Sequence, residues 1–446
     1  MHTLIAAILL ALAATPGARH PDPAVRLGER LFADTRFSNS NGDMATSCVS
    51  CHMPADVQGD RAFTQFLSRS WRPSRTEDPA RETLRNAPTL FDTAQMPLLH
   101  HDGQFTSLEE QTRETLIGRN MGWLPEERGA ALDHLKAILQ EDAAYRQDFS
   151  AAMQVDVDAD TAEALTDAAA RAVAAFMRTL ESPRDTPYDT FIAANGFDPG
   201  PKPGEPPSKY GERMLWAVIE RMQNGTLTRP AGFSEEAIAG YKVFLRTSGA
   251  TQAGNCVACH VPPAFSDFQF HNTGVAQEEY ERTHGESTFL SLSIPAAAAA
   301  QRPSPQFMAR PGADCAECAD LGYWNFARAS EGEAIDDTAL TKAIGAFKTP
   351  SLRHLASTAP YMHNGKYLTL EAVILQKARA GNSVRDGGSR NPDPEIAAIR
   401  LDENDVRNLF AFLNTLNAPG GRRASPAPLE DDSSLLATQA APYRGY

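Results

Sequence analysis

Apolar positions recur with a helical period along most of this chain. In "VRLGERLFADTRFS" Leu27, Leu31 and Phe32 share one helix face, and in "AIAGYKVFLRTSG" Ile238, Tyr241 and Phe244 do the same. Leu370, Val373, Ile374 and Lys377 fall at i, i+3, i+4 and i+7, so a Lys continues an apolar stripe. Val406, Leu409, Phe410 and Leu413 form another stripe, and 208–223 reads as a helix. Alternation with period two is scarce, which predicts a mainly α fold.

The stripes fall into two matching series. The first two quoted segments precede "SCVSCH" and "NCVACH", and "APTL" (87–90) recurs as "TPSL" (349–352). Pro88 and Pro350 are followed at the same interval by His101 in "HDGQFTSLEE" and His363 in "HNGKYLTLEA". The halves then close on "AAFMRTL" and "FAFLNTL", ending at Leu180 and Leu416. This internal repeat predicts two small helical domains, 24–183 and 233–417. A linker, 184–232, joins them. Its "GFDPGPKPGEPP" excludes regular structure and is followed by the 208–223 helix. The second half carries an insertion near 276–345, and 418–446 has the composition of a disordered tail.

The N-terminal "MHTLIAAILLALAATPGARHPDP" has a short apolar core and small residues before a Pro-rich break. It reads as a signal peptide, 1–18, with cleavage near Ala14 to Ala18, which places the mature protein in the periplasm. The apolar run is too short for a comfortable membrane span; the alternative is a retained N-terminal anchor. A net charge of -14 argues against nucleic-acid binding. It suits a basic redox partner, or simply a solvated acidic surface.

The strongest chemistry lies in the cysteines. Cys48, Cys51 and His52, and again Cys256, Cys259 and His260, form the Cys-x-x-Cys-His motif of covalent c-type haem. The thiols add to the porphyrin vinyl groups and the adjacent His reaches the iron. Two covalently bound haems are therefore predicted. Cys315 and Cys318 have no following His, so they form either a disulfide in an oxidising compartment or a redox or metal pair.

With these motifs the chain resembles the bacterial di-haem cytochrome c peroxidases and the related MauG proteins over nearly all of 24–417. The carriers are "LGERLFADTRFS", "SCVSCH", "RNAPTLF", "DGQFTSLEEQ", "NCVACH", "FHNTGV", "FKTPSLR" and "TAPYMHNG". The resemblance implies two cytochrome c-like domains with a calcium ion between them. It also implies hydrogen peroxide activated at the N-terminal haem, with electrons passed through the C-terminal haem. The donor would be a small protein, a cytochrome c or cupredoxin. One alternative is MauG-like oxidation of a protein or organic substrate. Another, of a different class, is a di-haem electron carrier without catalysis.

Carried over by position, Asn86, Thr358 and Pro360 match the calcium site, Pro360 through its carbonyl. Gln111 matches the distal Gln, but Asn120 stands where the acid–base Glu would be. Glu114, one turn from Gln111, is either its substitute or an ordinary surface residue. His101 replaces the Trp between the haems. No His occurs between His52 and His100, which predicts an open sixth position on the first haem; the alternative is His100 or His101 as ligand. Lys377 stands where relatives place the Met or Tyr ligand of the second haem. It is either that ligand or a Lys complementing a helix end. Tyr367 and Met362 are weaker candidates, and His363 matches a residue near this haem.

Overall fold

A computed structural model describes residues 22–39, 45–52, 85–248, 253–294, 319–327 and 336–418, and the backbone of a hairpin, β1 (Pro54–Val57) with β2 (Asp60–Phe63). Residues 1–18, read from the sequence as a signal peptide, Cys315, Cys318 and the tail after 418 lie outside the described residues. The chain is mainly helical and divides into two compact units. The smaller comprises 22–50, 93–95 and 105–181; the larger comprises 51–92, 96–104 and 182–418.

In the smaller unit, Asp22 accepts from the Ala24 amide and Pro23 opens the first helix, α1 (Pro23–Ala33). Its buried face is Val25, Leu27, Gly28, Leu31 and Phe32. Ser107 caps α2 (Leu108–Leu116); α3 (Arg128–Glu141) and α4 (Ala143–Met153) follow. The Ala-rich α5 (Ala162–Met177) closes the unit. Here α1 crosses α5 so tightly that a Cβ on Gly28 would lie 1.9 Å from the Ala172 carbonyl oxygen. Phe32 and Phe176 meet edge to face at 5.4 Å beside the crossing.

After residue 182 the larger unit continues with α6 (Pro187–Ala194), whose Thr186 cap and Asp189 form a capping box. The Gly- and Pro-rich stretch ends at α7 (Pro207–Gln223), where the sequence predicts a helix. Both helices belong to the core: Tyr188, Phe191, Tyr210, Met214 and Val218 are all buried. The segment is therefore packed, not a free tether, because its aromatic residues fall on one face of each helix. Next come α8 (Glu235–Leu245), α9 (Val275–His284), α10 (Asp337–Lys342), α11 (Leu370–Arg385) and α12 (Glu403–Asn414). A Cβ on Gly240 of α8 would lie 1.9 Å from the Asn408 carbonyl oxygen of α12, with Phe244 and Phe412 at 5.1 Å. Two short strands, β3 (Phe270–His271) and β4 (Phe347–Lys348), pair antiparallel. Part of the insertion has its own small core around Tyr280, Phe289, Trp324 and Leu340.

Residues 85–92 and 96–104 pack within the larger unit although they precede its haem motif. Two backbone bonds hold them reciprocally: Lys348 N–H donates to the His101 carbonyl at 2.9 Å, and Asn86 N–H to the His363 carbonyl at 2.6 Å. Among the described residues no helix is long and apolar enough to cross a membrane.

Candidate functional site

The second haem motif forms a short helical turn, Cys256–Ala258, that leads directly into His260. His260 Nδ1 lies 3.1 Å from the Phe265 carbonyl oxygen. A carbonyl only accepts, so Nδ1 carries the hydrogen and Nε2 keeps its lone pair, the arrangement a metal-ligating imidazole needs. The ring is densely surrounded by protein atoms although part of its surface remains accessible. That crowding, more than surface area, strips its hydration and lowers its pKa to about 4, so it is neutral at pH 7. These residues fit a covalent haem.

The first motif opens with one helical turn, Cys48–Cys51, carrying two half-buried cysteines. His52 is also neutral: burial lowers its pKa to about 4, against the opposing pull of the Pro88 carbonyl. His100 lies close enough to depress it further. Its own Nδ1 is 3.3 Å from Gln104 Oε1. His101 Nε2 donates to the Asn86 carbonyl at 2.9 Å, so its Nδ1 is the bare nitrogen.

Gln111 lies half-buried on α2 and donates from Nε2 to Thr115 Oγ1 at 2.9 Å. Glu114 takes two bonds from Arg128, at 2.6 and 2.8 Å. Those bonds, with Arg113 beside them, hold its carboxyl below the usual range, so its acid form is scarce at neutral pH. Asn120 sits in the short helical turn Arg119–Met121.

Lys377 projects from α11 close enough to act electrostatically on Cys256 and His260. Burial lowers its pKa to about 8, offset in part by Cys259, Glu278 and Cys256. Tyr367 is committed elsewhere, its hydroxyl donating to the Glu278 carboxylate at 2.7 and 2.8 Å, where Lys366 also pairs at 2.6 Å. Met362 adopts a left-handed backbone, φ 71°, and packs against the core. His363 stacks on Phe347 with ring centroids 3.5 Å apart, and its Nε2 lies 3.8 Å from Glu279.

Asn86 Nδ2 donates to the Pro360 carbonyl at 2.6 Å and to the Met362 carbonyl at 3.3 Å, while its Oδ1 is buried without a hydrogen-bond partner. Turning the amide over would aim Oδ1 at the same carbonyls, a repulsive set unless a hard cation lies among them. The Asn86 and Pro360 oxygens would suit calcium only with the amide turned over. Thr358 Oγ1 is 3.3 Å from the Leu355 carbonyl.

Two clusters escaped the sequence reading. His271 sits between Asp393 Oδ2 (2.6 Å, Nδ1) and Asp267 Oδ2 (2.9 Å, Nε2), beside Cys259. Burial pulls its pKa down, but the two carboxylates outweigh this and hold it at about 12, as an imidazolium. With both ring nitrogens donating, and Cys259 required for a thioether, the trio does not read as a metal site. The second cluster is Arg85 with Asp102 and Asp320. "FHNTGV" and "RNAPT" stood out in the sequence, but nothing in either names the partner carboxylates.

The profile of the family described as di-haem cytochrome c peroxidase matches residues 22–196. Cytochrome-c peroxidase IdrP1 of Denitromonas iodatirespirans is 27% identical over 93% of this chain and 87% of its own. MauG of Paracoccus denitrificans is 28% identical over 92% of this chain and 93% of its own. Residues 22–196 thus match that family's model, and the chain over most of its length is similar to cytochrome-c peroxidases and MauG proteins. Solved structures agree on the fold. A MauG-like protein associated with microbial copper homeostasis superposes with a TM-score of 0.51 at 22% identity, covering 92% of this chain and 96% of that one. The di-haem peroxidase BthA from Burkholderia thailandensis gives 0.53 at 18%, covering 92% of each chain.

Proposed function

We propose that this protein is a peroxidase-like di-haem oxidoreductase of the periplasm that reduces hydrogen peroxide to water with two electrons and two protons. The supporting observation is the pairing of a metal-ready His260 imidazole in the second haem motif with a family match, over residues 22–196, that contains the first motif. Bound haem supplies the redox chemistry, the first at Cys48, Cys51 and His52 and the second at Cys256, Cys259 and His260. The chain's own residues orient and neutralise the ligands: the Phe265 carbonyl fixes the His260 tautomer, and crowding keeps both imidazoles uncharged. Gln111 is assigned to the peroxide side of the first haem, and Lys377 to the sixth position of the second. Calcium is assigned to Asn86, Thr358 and Pro360. A small donor protein would reduce the second haem.

The two units are inferred to descend from one duplicated cytochrome c-like domain. In each, a glycine on the helix before the haem motif meets the backbone of the closing helix at the same depth, beside a phenylalanine pair.

A second reading, MauG-like oxidation of a protein or organic substrate, draws support from proton handling. Asn120 cannot act as an acid, and Glu114 is held ionised by Arg128. Counting covalent haems, then mixing the reduced protein with peroxide and a reduced cytochrome c, tests the proposal. Two haems per chain and catalytic oxidation of the donor are expected. Peroxide-inert haems would leave a carrier. Peroxide oxidation of the protein without donor turnover would favour the MauG-like reading.

A further inference from the structure

Arg85 and Asp320 are distant in sequence but joined in the larger unit. Arg85 Nε donates to Asp320 Oδ2 at 2.6 Å and Nη2 to Oδ1 at 2.7 Å, while Nη1 donates to Asp102 Oδ2 at 2.5 Å. None of the three side chains is more than 5% exposed. A buried guanidinium of this kind persists only when its acceptors are well placed, because losing one strands charge away from water.

The residues next in sequence carry the candidate chemistry. Asn86 follows Arg85 and His101 precedes Asp102, so the two dipeptides are tied twice. One tie is the Arg85–Asp102 ion pair and the other is His101 Nε2 to the Asn86 carbonyl. Asp320 is itself fixed. The Gly322 amide donates to its Oδ1 at 3.0 Å, and Tyr323 N–H to the Ala346 carbonyl at 2.7 Å. Tyr323 stacks on Phe270 at 4.1 Å, and both rings crowd Gly103, whose φ of 74° and lack of a Cβ permit the approach.

We propose that Asp320, carried by the insertion, is a positioning residue: it holds Arg85 against Asp102 and so fixes His101 in the tautomer with hydrogen on Nε2. With an amide in place of its carboxylate, one guanidinium nitrogen loses its acceptor and faces an N–H group instead. Arg85 then turns, and the loop from His100 (φ 64°) to Gly103 loses its outer brace. The consequence for electron transfer rests on the proposed place of His101 between the haems; the positioning itself does not.

The test uses the two-haem protein labelled with 15N-histidine, in the ferrous state, with His101 assigned by the signal lost in His101→Gln. The native protein is expected to show separate Nδ1 and Nε2 shifts of one fixed tautomer. Asp320→Asn should average them, and Asp320→Glu should restore them. Electron transfer between haems should slow about tenfold in Asp320→Asn, since small misplacements near a reacting path are costly. An unchanged fixed tautomer in Asp320→Asn overturns the proposal. If that variant fails to fold, Arg85→Lys decides: one ammonium cannot satisfy both carboxylates, so averaging is expected there and a fixed tautomer refutes. Averaged shifts with unchanged electron transfer support the positioning and remove His101 from the route.

Discussion

In the smaller unit, Glu109 at the start of α2 takes two bonds from Arg178, just after α5, at 2.7 and 2.9 Å near the surface. The matching segments of the larger unit place Glu371 and Asn414 at those positions. Glu371 is buried, and neither of its carboxylate oxygens has a hydrogen-bond partner within bonding geometry. Burial raises its pKa, and contacts with its own amide and Thr369 lower it less. Asn414 bonds back to the Phe410 carbonyl, leaving its Oδ1 buried without a partner. The crossing glycines and phenylalanine pairs agree, yet the charge that closes one unit is missing from the other. The larger unit relies instead on an aromatic core in which Tyr188, Tyr241, Phe265 and Phe412 meet ring to ring. The two units thus share a backbone contact geometry while their side-chain electrostatics differ.

The largest difference expected between the halves is at the haems. Lys377→Ala should turn the second haem from low-spin to high-spin or water-bound in its absorption spectrum and leave the first unaltered. An unaltered spectrum would make Lys377 a helix residue only. Next, Gly28→Ala and Gly240→Ala should each destabilise by about 3 kcal/mol or more in urea unfolding, because the added carbon meets backbone that cannot yield. If one is tolerated and the other is not, the two crossings are not equivalent.

A smaller effect should come from Asn414→Arg, which offers Glu371 the cation it lacks and should stabilise by about 1 kcal/mol. No gain in melting temperature would show that Glu371 is already satisfied by protonation. Arg178→Ala in the smaller unit should cost under about 1 kcal/mol, as exposed pairs do. Smallest is an acid effect confined to the smaller unit. Burial raises the Asp142 pKa, but bonds from Arg36, the Tyr145 amide and Arg30 outweigh it and bring the value from 3.8 to about 2. A lowered carboxylate stabilises the fold above its unfolded value, and that contribution is lost as pH falls from about 4 through about 2. Arg36→Gln should flatten that part of the stability profile.

The helices were legible because burial imposes a period that the sequence displays, as at Leu27, Leu31 and Phe32; their crossings at Gly28 and Gly240 were not, since a lone glycine in a helix does not name the backbone it meets. The haem motifs were legible because covalent attachment demands fixed spacing. The packing of 85–104 with the second half was not, since the repeat makes either half an equally good host. Nor were the partners of Glu114, Tyr367 and Arg85. Arg128, Glu278 and Asp320 are each unremarkable locally, and only the folded chain brings their charge to bear.

The reciprocal bonds between Lys348 and His101, and between Asn86 and His363, bear on how such a chain is made. Synthesis runs from the N-terminus, so the amide of Asn86 and the carbonyl of His101 emerge long before the residues that complete them. A chain stopped near residue 183 would hold those groups against water alone, next to a histidine already waiting for iron. The bracing of the 85–104 segment therefore waits on residues more than two hundred positions further along the chain.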